Sequence, residues 1–227
     1  MKVVILAGGQ GKRLMPLTID RPKPLVEVAG RPIIDRQIER FKAFGATSFV
    51  ILASHMKEKI VEHLGDGSRF GTEVEFCFDD GAFGTAGALK NAESLLSGEG
   101  SFFMANGDVI TDIDIKKLSL DGAVASIALA PLRSPFGILD SADGKVTDFR
   151  EKPVLSEYWM NAGMYAMSEE VFSHLPERGD LEKAVFPELA RKGLLNCTKY
   201  ESAYWISVDS IKDLEQAAKD IGSGRIL

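Results

Sequence analysis

The chain has 227 residues, enough for a sizeable buried core, and its 45% hydrophobic content is ordinary for a globular protein. Its net charge of −6 argues against nucleic acid as a partner, and no apolar run approaches the roughly 18 residues that a membrane span needs. The two cysteines, Cys77 and Cys197, have neither metal nor redox spacing, so both are expected to be reduced. The N-terminus enters a strand without a basic leader or apolar signal core, which predicts a cytoplasmic location.

The first predicted strand, residues 2–7, runs into a glycine-rich loop followed by basic side chains. The residues concerned are Gly8, Gly9, Gly11, Lys12, Arg13 and Lys23. Glycines let backbone amides approach a phosphate closely, and fixed cations neutralise it. Residues 1–36 carry seven cations and three acidic residues, a local charge of +4 that leaves −10 on the rest of the chain. The segment therefore predicts a cradle for the phosphates of a nucleoside triphosphate.

Two better-known glycine motifs do not fit this loop. A P-loop would need Gly at position 6 and Ser or Thr at position 13, which are Leu6 and Arg13. The dinucleotide fingerprint would need a third glycine at Leu14, which disfavours a dinucleotide-dependent oxidoreductase. An ordinary strand-to-helix turn is the remaining alternative, and the nearby cations and the rigid Pro-Lys-Pro at 22–24 count against it.

Apolar runs alternate with amphipathic stretches through the first half. Strands are predicted at residues 2–7, 48–53, 73–78 and 101–106. Helices are predicted at 33–44 (through Ile33, Ile34, Gln37, Ile38, Phe41 and Phe44), at 60–64 and at 86–96. Repeated strand-helix-strand units imply a Rossmann-like α/β sandwich of three layers, with helices on both faces of a mainly parallel sheet. Such sheets bind ligands beyond the carboxyl ends of their strands, where both the glycine loop and Asn106-Gly107-Asp108 fall.

The second half is richer in strands. Strands are predicted at residues 124–130, 137–139, 146–149, 162–167 and 197–201, and helices at 181–192 and 211–221. Asp143-Gly144, between apolar segments, predicts a hairpin turn. No linker, repeat or low-complexity tract divides the chain, so a single domain over residues 1–227 is expected.

Residues 6–28 carry the strongest motif. They contain Ala-Gly-Gly-Gln-Gly-Lys-Arg-Leu-Met-Pro-Leu-Thr and then Pro-Lys-Pro-Leu, which resembles the signature of the sugar-1-phosphate nucleotidyltransferases. The resemblance implies a GT-A-like nucleotidyltransferase fold, with a nucleotide-binding half at 1–122 and a sugar-phosphate-binding half at 123–227. There is no length for the added β-helix domain of some longer relatives. Arg13 would hold the departing pyrophosphate and Lys23 the reacting phosphates. The nucleotide-binding residues implied in the loop are Leu6, Ala7, Gly8, Gly9, Gly11 and Lys12.

Asp108 follows an apolar strand and a glycine. A carboxylate there can bind Mg²⁺, which prefers oxygen ligands and substrate phosphates. Taken alone, such an Asp is more often a turn or cap residue, but family members present a metal-binding Gly-Asp at the matching place. The resemblance therefore implies Mg²⁺ at Asp108, with Asn106 beside the nucleotide.

The second metal carboxylate of the family does not match. The family commonly has Trp-x-Asp-x-Gly-Thr-Pro, and here Ser207 replaces the Asp and Asp209 replaces the Gly. In an extended segment, positions 207 and 209 point the same way, roughly 7 Å apart, so Asp209 could reach the metal through a water or a backbone shift. The departure leaves open a second class of function, a regulatory homologue that binds a nucleotide sugar without turning it over.

Residues 83–89, Phe-Gly-Thr-Ala-Gly-Ala-Leu, resemble the family's base-recognition loop and add Gly84 and Thr85 to the nucleotide site. The alternative is a helix entry capped by Thr85. Asp79 stands where thymidylyl and many uridylyl relatives have Gln. A carboxylate only accepts hydrogen bonds, which suits the adjacent N1–H and N2–H₂ donors of guanine. Asp80 is the alternative reader of the base.

Two further segments resemble sugar-binding elements of the family. Residues 149–153, Phe-Arg-Glu-Lys-Pro, would place Lys152 on the sugar 1-phosphate and Glu151 on a sugar hydroxyl. Residues 161–165, Asn-Ala-Gly-Met-Tyr, resemble the Asn-x-Gly-x-Tyr strand. Without the resemblance, neither segment would indicate a function, because a charge run such as 149–153 is usually a solvated loop. The resemblance assigns sugar binding to Gly137, Glu151, Asn161 and Gly163.

The activity implied is Mg²⁺-dependent transfer of a nucleotidyl group from a nucleoside triphosphate to a sugar 1-phosphate. GTP with mannose or heptose 1-phosphate is the expected pair, and UTP or dTTP with another hexose or amino-sugar 1-phosphate is the alternative. Relatives are often dimers, so a homodimer is possible, but no unpaired apolar stripe locates an interface.

Overall fold

The computed structural model describes residues 1–79 and 83–226. The strands in these ranges are β1 (Lys2–Leu6), β2 (Glu27–Val28), β3 (Arg31–Pro32), β4 (Ser48–Ala53), β5 (Glu73–Phe78), β6 (Ser101–Asn106), β7 (Val109–Thr111), β8 (Ala125–Arg133), β9 (Ile138–Ala142), β10 (Lys145–Arg150), β11 (Val154–Ser168), β12 (Leu195–Lys199) and β13 (Trp205–Ser207). The α-helices are α1 (Ile33–Ala43), α2 (Lys57–Leu64), α3 (Gly84–Asn91), α4 (Glu93–Leu96), α5 (Phe186–Arg191) and α6 (Ile211–Gly222). Among the described residues, no helix is both long and apolar enough to cross a membrane.

A seven-stranded sheet organises the molecule, in the order β12-β8-β11-β6-β1-β4-β5. β5, β4, β1 and β6 are mutually parallel, as are β8 and β12, whereas β11 runs antiparallel to both of its neighbours. The sheet is therefore mainly parallel, as predicted. Three two-stranded ribbons, β9–β10, β7–β13 and β2–β3, lie outside it.

Both faces of the sheet are covered, because its central strands are apolar on both sides. Val3 and Ile5 of β1 pack in one cluster with the apolar stripe of α1 and with Ile60 of α2. Val4 faces the opposite cluster, which includes Leu89 of α3 and Leu189 of α5. α6 packs on a smaller third cluster near the glycine loop. The three-layer arrangement agrees with the prediction.

The predicted helix at 86–96 is wrong in detail. The structure has two helices, α3 and α4, interrupted at Ala92, although Leu89, Ala92 and Leu96 all remain buried. The predicted helix at 181–192 also divides, into a wide turn over Leu181–Val185 and then α5. Pro187 explains the second division, because it has no N–H to bond the carbonyl four residues earlier.

The second half differs from prediction mainly in the length of its strands. β11 begins at residue 154 rather than at the predicted residue 162. The prediction missed its first part because that part is mostly exposed and lacks the apolar pattern of the buried part. The hairpin between β9 and β10 turns at Asp143-Gly144 as predicted, with φ of 49° and 75° at these residues. Neither three-residue strand of the β7–β13 ribbon was predicted from the sequence, yet this ribbon positions the site described next.

Candidate active site

Asp108 is positioned by the adjacent ends of β1 and β6. Leu6 lies opposite Asn106 in the parallel register, and the N–H of Gly107 donates to the carbonyl oxygen of Leu6 at 2.9 Å. A Cβ at Gly107 would lie 2.3 Å from that oxygen, so only glycine fits this turn. The carboxylate therefore follows the strand end at the edge where ligands of such sheets bind.

Lys23 lies between two carboxylates. Its Nζ is 2.7 Å from Asp108 Oδ2 and 2.7 Å from Asp209 Oδ1, and the residue is only 8% exposed. Arg13 adds a second cation, with Nη2 2.9 Å from the same Asp209 oxygen. The structure thus brings together four predicted site residues that are far apart in sequence.

Asp209 is held from several directions. In the β7–β13 ribbon Ser207 lies opposite Val109, and the N–H of Val208 donates to the carbonyl oxygen of Asp108 at 2.9 Å. The Ser207 hydroxyl donates to Asp209 Oδ2 at 2.9 Å, and the Asp209 N–H donates to Asp213 Oδ2 in the first turn of α6. Ser207 and Asp209 therefore do face the same place, and the serine supports the carboxylate.

The surroundings keep Asp209 ionised. Burial raises the pKa of its carboxyl, but the hydrogen bonds from Lys23 and Ser207 and the charge of Arg13 outweigh burial and hold the pKa below its usual value. Asp209 is therefore charged at neutral pH, which is the form of a carboxylate that binds a cation.

The donor set suits a hard divalent cation such as Mg²⁺. The carboxylate oxygens of Asp108 and Asp209 already converge on a single positive charge, the Lys23 ammonium. Within residues 1–79 and 83–226, no group of three or more Asp, Glu, His or Cys side chains forms a metal site. Two carboxylates are enough for Mg²⁺, which usually completes its coordination with waters and substrate phosphates.

A cavity of about 170 Å³ adjoins this cluster. Its lining includes Leu6, Gly9, Lys23, Pro24, Thr85, Asn106, Gly107 and Asp108. Gly11, at φ 62°, brings the loop close to Lys23, whose Cβ would lie 3.1 Å from a Cβ placed on the glycine. Five predicted nucleotide or metal residues therefore share one cavity wall with Lys23.

The Asn161–Gly163 bulge of β11 lies next to Asn106. Gly163 has φ 70°, and a Cβ there would lie 2.7 Å from Asn106 Nδ2. Asn161 accepts a hydrogen bond from the Gly163 N–H and donates to the Tyr165 hydroxyl at 2.9 Å. Burial raises the pKa of the Tyr165 phenol, which keeps it neutral. The predicted sugar-binding residue Gly163 thus borders the predicted nucleotide residue Asn106, and Asn161 is bonded to the Gly163 backbone.

Thr85 does not cap α3. The helix begins at Gly84, and the Thr85 hydroxyl accepts from the Leu181 N–H at 2.8 Å and donates to Glu182 Oε2 at 3.0 Å. A Cβ at Gly84 would lie 2.4 Å from the Gly179 carbonyl oxygen, so this loop packs tightly on residues 179–182. The capping alternative for Thr85 is wrong, because its hydroxyl is engaged by the turn that begins at residue 181.

Several other predicted nucleotide residues make contacts elsewhere in the fold. The Gly8 carbonyl oxygen accepts a hydrogen bond from the Ser54 hydroxyl, and the N–H of the buried Ala7 donates to the Leu52 carbonyl oxygen. Lys12 is exposed. Asp79 directly follows β5, and its N–H donates to the Ala53 carbonyl oxygen at 3.3 Å; Asp80 lies outside the described residues.

The predicted sugar-phosphate residues of the β10 end are exposed. The Nζ of Lys152 is 3.7 Å from Glu151 Oε1, and both side chains are about 60% exposed. Glu151 also lies beside Gly137, with Oε2 3.2 Å from a Cβ placed there. Among the described residues, the structure records no contact between Lys152 and Lys23, Asp108 or Asp209.

Sequence reasoning missed Gln37. Its Nε2 donates to the carbonyl oxygens of Asn106 and Val109, on either side of Gly107-Asp108. The available signal was a polar side chain within the apolar stripe of α1, where a buried polar residue is easily taken for packing.

The sequence profile described as "Nucleotidyl transferase" matches residues 2–224. The chain belongs to the nucleotidyl transferase family. Lys23, Asp108 and Asp209 all lie within the matched residues.

The names of several curated relatives of this chain describe enzymes that act on sugar phosphates. The mannose-1-phosphate guanyltransferase of Kluyveromyces lactis is 38% identical over 226 residues, covering 94% of the chain and 62% of the relative. The UTP–glucose-1-phosphate uridylyltransferase of Synechocystis is 30% identical, covering 100% of the chain and 64% of the relative. The chain thus spans less than two thirds of the length of these relatives.

A solved structure of similar length shares the fold. HddC from Yersinia pseudotuberculosis superposes with a TM-score of 0.77 at 28% identity, covering 97% of the chain and 99% of HddC. A second structure of HddC is a complex with GMP-PN, at a TM-score of 0.76 and 26% identity. The GT-A-like nucleotidyltransferase fold is therefore the fold of this chain, as predicted.

Proposed function

We propose that the protein transfers a nucleotidyl group from a nucleoside triphosphate to a sugar 1-phosphate. An oxygen of the sugar 1-phosphate attacks the α-phosphorus, and the bond from that phosphorus to the pyrophosphate oxygen breaks. The products are a nucleoside diphosphate sugar and pyrophosphate. The convergence of Lys23, Arg13, Asp108 and Asp209 at the ends of β1 and β6 carries this proposal.

No protein nucleophile is required, so positioning and charge carry the rate. Lys23, at the centre of the cluster, would stabilise the phosphates as the reaction proceeds. Arg13 pairs with Asp209 but its side chain is 76% exposed, and it would hold the departing pyrophosphate. Lys152 would bring the anionic sugar phosphate to the site, with Glu151, Gly137, Asn161 and Gly163 contacting the sugar.

Asp108 and Asp209 would hold Mg²⁺. When bound, it would supply positive charge to the triphosphate and lower the cost of charge on the leaving group. With the charges of Asp108 and Asp209 neutralised in this way, the Lys23 ammonium would be able to leave these carboxylates and contact a phosphate. The nucleotide would contact residues of the glycine loop and of two later segments, namely Leu6, Ala7, Gly8, Gly9, Gly11, Lys12, Gly84, Thr85 and Asn106. We propose that residues 1–122 serve the nucleotide and 123–227 the sugar phosphate.

GTP with mannose or heptose 1-phosphate is the substrate pair that we propose. The guanyltransferase names of several relatives and the GMP-PN complex of HddC support guanine. UTP or dTTP with another sugar 1-phosphate is the alternative, which the uridylyltransferase relative supports. A homodimer, frequent among relatives, remains a prediction.

The direct test is pyrophosphate release in the presence of Mg²⁺. Each of ATP, GTP, CTP, UTP and dTTP is offered with a panel of sugar 1-phosphates. We expect release with GTP that depends on the sugar phosphate. Release with UTP or dTTP alone would support the nucleotidyl transfer activity and refute the preference for guanine. No release from any pair, with nucleotide-sugar binding by calorimetry, would favour the regulatory homologue instead.

That regulatory alternative rests on Ser207, which lacks a carboxylate. The Asp209 carboxylate lies beside Asp108 through their shared contact with Lys23, and Ser207 itself donates to Asp209. These contacts support turnover, because a second carboxylate is present at the cluster despite the substitution.

Asp79 is the proposed reader of guanine, and its replacement by Asn tests this. Loss of a charged acceptor for two guanine donors should lower kcat/KM for GTP by roughly 5- to 150-fold, the range of one bidentate base contact, and leave UTP nearly unchanged. Competition between GTP and UTP measures the preference. Asp80→Asn is the matched control. If Asp80→Asn loses the GTP preference instead, Asp80 reads the base; if neither variant does, the base is read elsewhere.

A further inference from the structure

Gln37 joins helix α1 to the turn that presents Asp108. It is only 7% exposed and lies on the face of α1 that packs against the sheet. Its Nε2 is 2.7 Å from the carbonyl oxygen of Asn106 and 3.0 Å from that of Val109. One amide group therefore holds both backbone carbonyls that flank Gly107-Asp108.

The contact uses the donor end of the side chain only. Gln37 Oε1 has no hydrogen-bond partner among the described residues. A leucine or methionine would fill this part of the core without adding an unpaired amide oxygen to it. The amide is thus better explained by the two carbonyls than by packing.

The other contacts of this turn fix its two ends. Gly107 donates to the Leu6 carbonyl, and the Asp108 carbonyl accepts from Val208. The first contact ties the turn to β1, and the second ties it to the strand end that leads to Asp209. Gln37 supplies the third support, from behind the turn, and α1 is itself fixed by buried Ile34, Ile38 and Phe41.

We propose that Gln37 is a positioning residue that sets the Asp108 carboxylate against Asp209 and so controls divalent-cation binding. This inference rests on the proposed function. Groups that orient metal ligands from behind typically change metal affinity or activity by about 10- to 100-fold when removed. Both hydrogen bonds of Gln37 to this turn are to backbone carbonyls, so its effect on Asp108 passes through the backbone of residues 106–109.

The test compares Gln37→Met with Ile38→Val, a conservative change at the next, fully buried position of α1. Mn²⁺ binding to the nucleotide-free protein is measured by electron paramagnetic resonance, and Tm, kcat and KM are measured for both variants. Both variants should lower Tm. Only Gln37→Met should weaken Mn²⁺ binding by about 10-fold or more, raise the half-saturating Mg²⁺ concentration and lower kcat, with KM for GTP within about twofold of wild type.

Wild-type Mn²⁺ affinity and kcat in Gln37→Met, with a loss of Tm like that of Ile38→Val, would overturn the positioning role and leave the proposed function standing. If Gln37→Met does not fold, Gln37→Asn gives the same test, because it keeps a neutral amide but its shorter side chain cannot span both carbonyl oxygens. Asp108→Asn is the reference. If it binds Mn²⁺ as tightly as wild type, Asp108 is not a cation ligand and the positioning role of Gln37 is overturned with it. The proposed function fails separately, if the wild-type protein releases no pyrophosphate from any substrate pair.

Discussion

Asp108→Asn is expected to abolish most of the activity. The substitution keeps the size of the side chain and removes its negative charge, so a cation loses one of the two carboxylates that face it. Loss of a preorganised charge at a reacting phosphate costs about 100- to 1000-fold in rate, and we expect a fall in this range. Pyrophosphate release at saturating GTP, sugar 1-phosphate and Mg²⁺ measures it.

A neighbouring aspartate provides the control for this substitution. Asp114 follows β7, and its carboxylate caps the short turn Ile115–Lys117 by accepting from the Lys116 N–H. Asn caps such turns about as well as Asp, so Asp114→Asn should keep wild-type rate and Tm. Full activity in Asp108→Asn, with Asp114→Asn also active, would mean that no essential cation is held at Asp108.

The central strands were predictable because their apolar runs are bounded sharply. β4, β5 and β6 begin and end at the predicted residues, since Gly, Asp and other turn-forming residues follow compact apolar segments. The proximity of the glycine loop to Asp108 was predictable too, because the carboxyl ends of parallel strands share one edge. The Leu6–Asn106 register confirms that proximity.

The contacts within the site were not predictable from sequence. Lys23 lies 85 residues from Asp108 and 186 from Asp209, and their meeting depends on the short β7–β13 ribbon, whose strands are too brief to show periodicity. Thr85 reads locally as a cap, but its hydroxyl bonds a residue 96 positions away. Local spacing carries no information about either partner, so only the folded chain reveals them.

Lys23→Met is the second substitution with a large expected effect. In this structure the Lys23 ammonium neutralises both carboxylates, so it competes with a divalent cation for the same oxygens. Removing it should lower the rate by about 100-fold or more, because a positive charge at the phosphates is lost. The same change should tighten Mn²⁺ binding to the nucleotide-free protein, because among the described residues only Arg13, on Asp209, would then pair with these carboxylates.

The opposite signs of these two effects separate competition from general damage. A merely disrupted site would lose rate and Mn²⁺ affinity together, whereas a site freed of its internal cation loses rate and gains affinity. With EDTA, Lys23→Met should have a lower Tm than wild type, since two partly buried carboxylates repel each other, and Mn²⁺ should restore more Tm than in wild type. Lys12→Met, an exposed change in the same loop, should alter neither Mn²⁺ affinity nor Tm. Unchanged or weaker Mn²⁺ binding in Lys23→Met would show that Lys23 and the cation do not compete for Asp108 and Asp209.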